Sequence, residues 1–141
     1  MMAAGHRGAE AAAFERKVPV PATLAITVLT SMDAESLAAT GVSRALPEQV
    51  SALAVQAREA GLSGIVCSPQ EAKGMRELLG PEALIVTPGV RPAGSAQGDQ
   101  SRVATPAQAF ENGASHIVVG RPITQAENPV AAFEAIAAEL A

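Results

Sequence analysis

Two stretches of this sequence carry residues that could grip an anion. In Val118-Val119-Gly120-Arg121-Pro122-Ile123 a glycine ends a short β-branched run and an arginine follows it directly. A glycine there lets the backbone come close to a ligand, and its N–H together with the guanidinium can hold a phosphate by charge-assisted, often bidentate bonds. The plain alternative is a surface arginine after an ordinary strand. The second stretch runs from Gly89 to Arg102 and is long for a connection in a compact domain. Its Arg91, Gln100 and Arg102 supply donors suited to an anionic, amide-bearing ligand, although the same composition also describes a solvated Gly-rich linker.

Other positions carry weaker signals. Thr30 and Ser31 could bond a ligand, or could simply cap the next helix. Cys67 sits in an apolar run with no His or Lys beside it in sequence, which fits an inert core residue. His6 and His116 have no partner at metal-ligand spacing. The chain contains no nucleophile elbow, no Walker-type loop and no dinucleotide fingerprint.

The elements that must position these residues follow from the apolar pattern. From residue 22 onward, short β-branched runs alternate with longer stretches of helical period, the order of parallel strands joined by crossover helices. The runs predict strands at Thr23 to Leu29, Gly64 to Cys67, Ala83 to Thr87 and His116 to Gly120, all apolar enough to be buried on both faces. Pro47 opens a helix that Gly61 stops, with Leu46, Val50, Leu53, Ala54 and Ala57 on one face. Ser68-Pro69-Gln70-Glu71 has the spacing of a capping box for a helix closed by Gly80, and Thr105-Pro106-Ala107-Gln108 repeats the device before Gly113. Asn128-Pro129 starts a last helix whose Val130, Phe133, Ala137 and Leu140 share a face. A short helix, Asp33 to Thr40, follows the first strand.

The chain therefore divides into a leading helix and Pro-containing connection, residues 1–21, and four β/α units, residues 22–141. Such units build a (β/α)8 barrel, but a whole barrel takes about 250 residues, so 141 residues supply about half of one. An open doubly wound sheet is the alternative, although the Gly-rich turn that usually marks it is missing after the first strand. In a barrel the strand C-termini form the site, and here they deliver Thr30, Ser68, Thr87-Pro88-Gly89 and Gly120-Arg121 to one rim.

Composition narrows the partners. Hydrophobic residues make up 48% of the chain but aromatics only 2%, so the core must come from Ala, Val, Leu and Ile. A net charge of −4 and the lack of aromatic stacking platforms argue against nucleic acid. No apolar run approaches the roughly 18 residues needed to span a bilayer, which argues against a membrane. A single cysteine precludes an internal disulfide and fits a reducing cytoplasm.

Taken in order and spacing, Thr27-Val28-Leu29-Thr30-Ser31-Met32, Gly64-Ile65-Val66-Cys67-Ser68, Val86-Thr87-Pro88-Gly89-Val90-Arg91-Pro92, Gly98-Asp99-Gln100 and Val119-Gly120-Arg121-Pro122-Ile123-Thr124-Gln125 resemble the bacterial orotidine 5'-phosphate decarboxylase family. The resemblance covers nearly the whole chain and implies the C-terminal half of a TIM barrel. It implies decarboxylation of orotidine 5'-phosphate to UMP in pyrimidine biosynthesis, by a purely electrostatic mechanism with no cofactor. Thr30 would contact the pyrimidine, Gln100 would bridge pyrimidine and phosphate from a closing loop, and Gly120 with Arg121 would hold the 5'-phosphate. Arg91 matches a further substrate-binding position.

The family's catalytic Lys and Asp array has no counterpart here, so the expected chain is a truncated decarboxylase that begins at an internal Met and is inactive alone. The readings set against it are another phosphate-binding barrel enzyme and a non-catalytic half barrel that binds a ligand or a partner. Open sheet edges imply self-association, either as a dimer completing an eight-stranded barrel or as less ordered aggregates.

Overall fold

A computed structural model of the chain describes residues 1–92 and 104–140. Its elements run α1 (Met2–Arg16), β1 (Leu24–Ile26), α2 (Ala34–Ala39), α3 (Leu46–Glu59), β2 (Gly64–Val66), α4 (Ala72–Leu79), β3 (Leu84–Thr87), α5 (Pro106–Glu111), β4 (His116–Ile117), α6 (Arg121–Thr124) and α7 (Pro129–Ala138). The four strands form one parallel sheet in the order β1-β2-β3-β4, the expected series of β/α units.

Register decides which face each side chain takes. Ala25, Ile65 and Ile85 are cross-strand partners and point to the helices, where they pack with Val50, Ala54 and Ala57 of α3. Ile26, Val66, Val86 and His116 are partners on the other face. That second face was expected to be buried, yet Ile26 is 62% exposed and Leu24 is also exposed. Helices cover one side of the sheet, and no described element covers the other.

The strands are shorter than the apolar runs that announced them, because ladder pairing ends before the apolar residues do. Helix ends match the sequence better. Thr105 and Gln108 form the complete capping box, with Pro106 in the first turn. Asn128 accepts from the N–H of Ala131 to cap α7. The similar signal at Ser68 does not hold: α4 starts at Ala72, and only half the box forms, with Glu71 Oε2 accepting from Ser68 N–H at 2.8 Å. Likewise α3 begins one residue before Pro47. On α7 the anticipated apolar face is not the buried one, since Val130, Phe133 and Leu140 are exposed while Ile136 is buried.

Two polar clips lock the layers. The Arg76 guanidinium donates to the carbonyls of Gly80, Pro81 and Ala83 at 2.8–2.9 Å and, through Nε, to Gly113 at 3.1 Å. His6 Nδ1 lies 2.8 Å from Thr23 Oγ1 and so fixes α1 beside the start of β1.

Gly64 has no room for a side chain, because a Cβ there would stand 1.9 Å from the Leu84 carbonyl oxygen. Gly74, in contrast, lies within α4 with nothing within 4 Å of an added Cβ. Gly64→Ala is expected to abolish folding, whereas Gly74→Ala should stabilise by about 0.5–1 kcal/mol through helix propensity. Urea unfolding followed by circular dichroism checks both, and equal effects would overturn the packing assigned to Gly64.

Candidate functional site

Because the strands are parallel and adjacent, their C-terminal ends share one rim. A cavity of about 250 Å³ opens there, lined by Ile26, Val28, Leu29, Thr30, Cys67 and Pro88. Thr30 is 8% exposed, and α2 takes its cap from Asp33 rather than from Thr30 or Ser31. That leaves Thr30 as a lining residue. Cys67 is fully buried in the core, as anticipated, and also contributes to the cavity wall.

Ser68, placed by the sequence both on the rim and in a helix-capping pattern, was not assigned a ligand-binding role there. It is fully buried, and its Oγ has no hydrogen-bond partner among the described residues. Leaving a buried hydroxyl unsatisfied costs about 1–3 kcal/mol, so this one calls for a functional explanation. Its place directly after a strand, on the rim where barrel sites form, was the available signal.

Arg91 is 8% exposed, and its NH1 donates to the Val90 carbonyl at 2.9 Å. Its backbone N–H donates to Ala104 O at 2.9 Å, and Val90 bridges Ala104, so both ends of the connection after β3 are tied together at the rim. Gln100 lies outside the described residues, as do Gly94, Gly98 and Arg102.

Gly120 and Arg121 follow β4, with Gly120 as the N-cap and Arg121 as the first residue of α6. No periodicity could announce so short a helix, yet an extra helix start near the last strands is a recurrent phosphate site in barrels. A Cβ at Gly120 would meet nothing within 4 Å, so internal packing does not demand glycine there.

No group of three or more His, Cys, Asp or Glu among the described residues could hold a metal. His116 is exposed and pairs with Ser115 Oγ at 3.0 Å. A second cavity, about 220 Å³, lies at the opposite ends of the strands among Ala54, Ala57, Leu62, Ser63 and Leu79. The N-terminal end of a barrel serves stability, and this gap reflects small side chains rather than a site.

Residues 1–136 match the sequence pattern that defines the orotidine 5'-phosphate decarboxylase / HUMPS family. The chain belongs to this family. It is 58% identical over 132 residues to the orotidine 5'-phosphate decarboxylase of Moorella thermoacetica, covering 93% of this chain and 52% of that one. It is 55% identical over 116 residues to that of Thermobifida fusca, covering 82% and 50%. The crystal structure of the Lactobacillus acidophilus orotidine 5'-phosphate decarboxylase superposes with a TM-score of 0.79 at 40% identity, over 99% of this chain and 57% of that one. A Pyrococcus horikoshii structure at 22% identity, TM-score 0.63, shares the fold. The fold is thus a (β/α)8-barrel segment, and the chain spans about half the length of the curated relatives it matches. No helix among the described residues is long and apolar enough to cross a membrane.

The Asp33 cap sets the exit of the Thr30 segment. The Asp33 carboxyl is held below its ordinary 3.8, chiefly by the backbone N–H of Ser36, which donates at 2.8 Å. A lowered folded value means the cap's contribution is complete above about pH 3.8 and is lost as pH falls through the depressed value. Amide exchange at Ser36 should accelerate in that window in the native chain. In Asp33→Asn, whose side chain still caps but does not titrate, this pH step should vanish, and persistence of the step would refute the assignment.

Proposed function

We propose that this chain forms the ligand-gripping part of an orotidine 5'-phosphate site, and that the whole protein it represents catalyses decarboxylation of that nucleotide to UMP. The observation that carries the reading is the set of polar groups on one rim, above all the buried hydroxyl of Ser68, which has no partner among the described residues. Support comes from membership of the family and from the names of the Moorella and Thermobifida relatives. In this reading Thr30 and Ser68 face the pyrimidine, Gln100 reaches it from the connection after β3, and Arg91 supplies positive charge in a nearly dry setting. Gly120 and Arg121 hold the 5'-phosphate, where a guanidinium forms short charge-assisted bonds.

The chain alone grips without reacting. Its only lysines are Lys17, which caps α1, and Lys73, which is exposed on α4. Asp33 is engaged in capping α2, which leaves Asp99 as the remaining aspartate of the chain. Among the described residues no Lys–Asp pair stands ready to stabilise and protonate a ring carbanion. The favoured partner molecule is therefore a pyrimidine nucleoside monophosphate, and the uncovered sheet face makes the isolated chain self-associate.

Two outcomes are expected. The purified chain leaves orotidine 5'-phosphate unchanged in a spectrophotometric assay, and turnover above the uncatalysed rate would contradict the division of labour. In calorimetry Arg121→Ala should weaken UMP binding by about 2 kcal/mol, the worth of a charge-assisted bond. Ser68→Ala should weaken uridine and UMP alike, and unchanged affinity in both variants would remove the site assignment.

A further inference from the structure

The buried hydrophobic residues fall into two separate clusters. The main one holds Ala25, Ile65 and Ile85 of the first three strands together with the inner faces of α3 and α4. The second is small: Val90, Ala109 and Ala114, with Ile117 and Val119 partly buried against them. Thr30 and Ser68 follow strands of the main cluster, whereas Gly120 and Arg121 follow β4, which packs in the small one. In the reading above the first pair faces the pyrimidine and the second holds the phosphate. The spacing between the two grips is therefore set where the clusters join.

Ladder pairing does little to fix that junction. β4 pairs with β3 through Val86 with His116 and Thr87 with Ile117, and no other described strand flanks it. So short a ladder has few bonds, each modest in net worth. Two side chains supplement it. Ser115 N–H donates to Ile85 O at 2.8 Å, and the Ser115 hydroxyl accepts from Ile85 N–H at 2.8 Å. The hydroxyl thus satisfies a backbone donor just before the ladder begins. Arg76, on α4, donates through Nε to Gly113 O at 3.1 Å and through NH1 to the carbonyls of Gly80, Pro81 and Ala83. One planar guanidinium therefore ties the turn before β3 to the turn before β4. Gly113 lies tight against it, since a Cβ there would stand 2.9 Å from Arg76 Cβ.

We propose that Arg76 and Ser115 are positioning residues for the phosphate grip. They fix the start of β4 against β3, and through that strand they set the distance of Gly120 and Arg121 from Thr30 and Ser68. Both act at the N-terminal ends of the strands, away from the rim, so neither contacts a ligand held there. The inference rests on the reading of Gly120 and Arg121 as the phosphate grip. A comparable pair of bonds joins the starts of β1 and β2. There Ser63 N–H donates to Thr23 O at 2.9 Å, and Ser63 Oγ accepts from Thr23 N–H at 3.2 Å. That junction precedes Thr30 and Ser68 alone, so Ser63 is the matched control: the same hydroxyl is lost, with no bearing on the phosphate.

Calorimetry of the chain with UMP and with uridine separates the two grips, because the ratio of the two dissociation constants isolates the phosphate. Ser115→Ala and Arg76→Lys should each lower that ratio by about fivefold, the worth of one hydrogen bond, and leave uridine affinity unchanged. Ser115→Thr, which keeps the hydroxyl, should retain the native ratio, as should Ser63→Ala. A native ratio in both Ser115→Ala and Arg76→Lys would overturn the proposal. So would a proportional loss for uridine and UMP, which is what a merely loosened fold gives. Circular dichroism checks that each variant folds, and if Arg76→Lys does not, the two Ser115 variants decide. Arg121→Ala distinguishes failure of this inference from failure of the site reading. If it lowers the ratio and the positioning variants do not, the positioning role alone is wrong. If it leaves the ratio native, the phosphate grip is misassigned and the inference falls with it.

Discussion

Strands of two to four residues make too few ladder hydrogen bonds to hold a sheet, and each such bond is worth only about 0.5–1.5 kcal/mol net. The contact that holds this one is the row Ala25, Ile65 and Ile85 against the alanines of α3. Ile65 and Ile85 are completely buried, and burial of each contributes about 1.5–3 kcal/mol. Ala54 and Ala57 are small enough to let α3 lie close to the sheet. Gly64 has no side chain because the Leu84 carbonyl occupies its space. Once this row is seated, the register of β1, β2 and β3 cannot slip without turning an isoleucine to the other face. The common rim is a consequence of that register.

On the rim, polar groups are buried in an otherwise apolar setting. Taking a guanidinium out of water is costly unless opposite charge or several acceptors replace the solvent. Arg91 is nearly dry, and among the described residues its guanidinium donates to the adjacent carbonyl of Val90. Ser68 is fully dry, and its hydroxyl has no partner among the described residues. The Ser68 hydroxyl costs stability, and a hydrogen-bonding ligand at the rim would relieve that cost. The cavity walled by Thr30, Cys67 and Pro88 stands on the same rim. Tying Val90 to Ala104 anchors the connection that bears Gln100 to the same end of the sheet.

What was legible in the sequence depended on how local its cause was. The Thr105 cap is a four-residue affair in solvent and formed as spelled. Ser68 has nearly the same spelling, but its residue is packed at a strand end, where burial outranks the capping bond and the helix starts later. Strand positions were legible from apolar runs, while strand lengths were not, since Val28 and Val119 continue the run after pairing has stopped. The short α6 helix, on which Arg121 sits, has no period to detect. Thr30, Arg91, Gly120 and Arg121 were named from residue type and order, and Gln100 lies outside the described residues. Ser68 was placed on the rim from its position after a strand but given no ligand role, because an unsatisfied hydroxyl is visible only in three dimensions.

Binary patterning also hides which face of a parallel sheet is covered. Strands buried on both faces read as continuous apolar runs, and those runs carry the same letters whether or not both covers are present. Here Ala25 and Ile26 are neighbours of similar character, yet one is buried beneath α3 and the other faces open space. The uncovered side is also the inner side of the site, since Ile26 lines the cavity together with Thr30. Whatever body covers Ile26 therefore removes apolar surface from water and, in the same step, excludes water from the place where Thr30 would meet a ligand. Stability and site completion are linked in this architecture, because Ile26, an exposed isoleucine of the uncovered face, also forms part of the cavity wall.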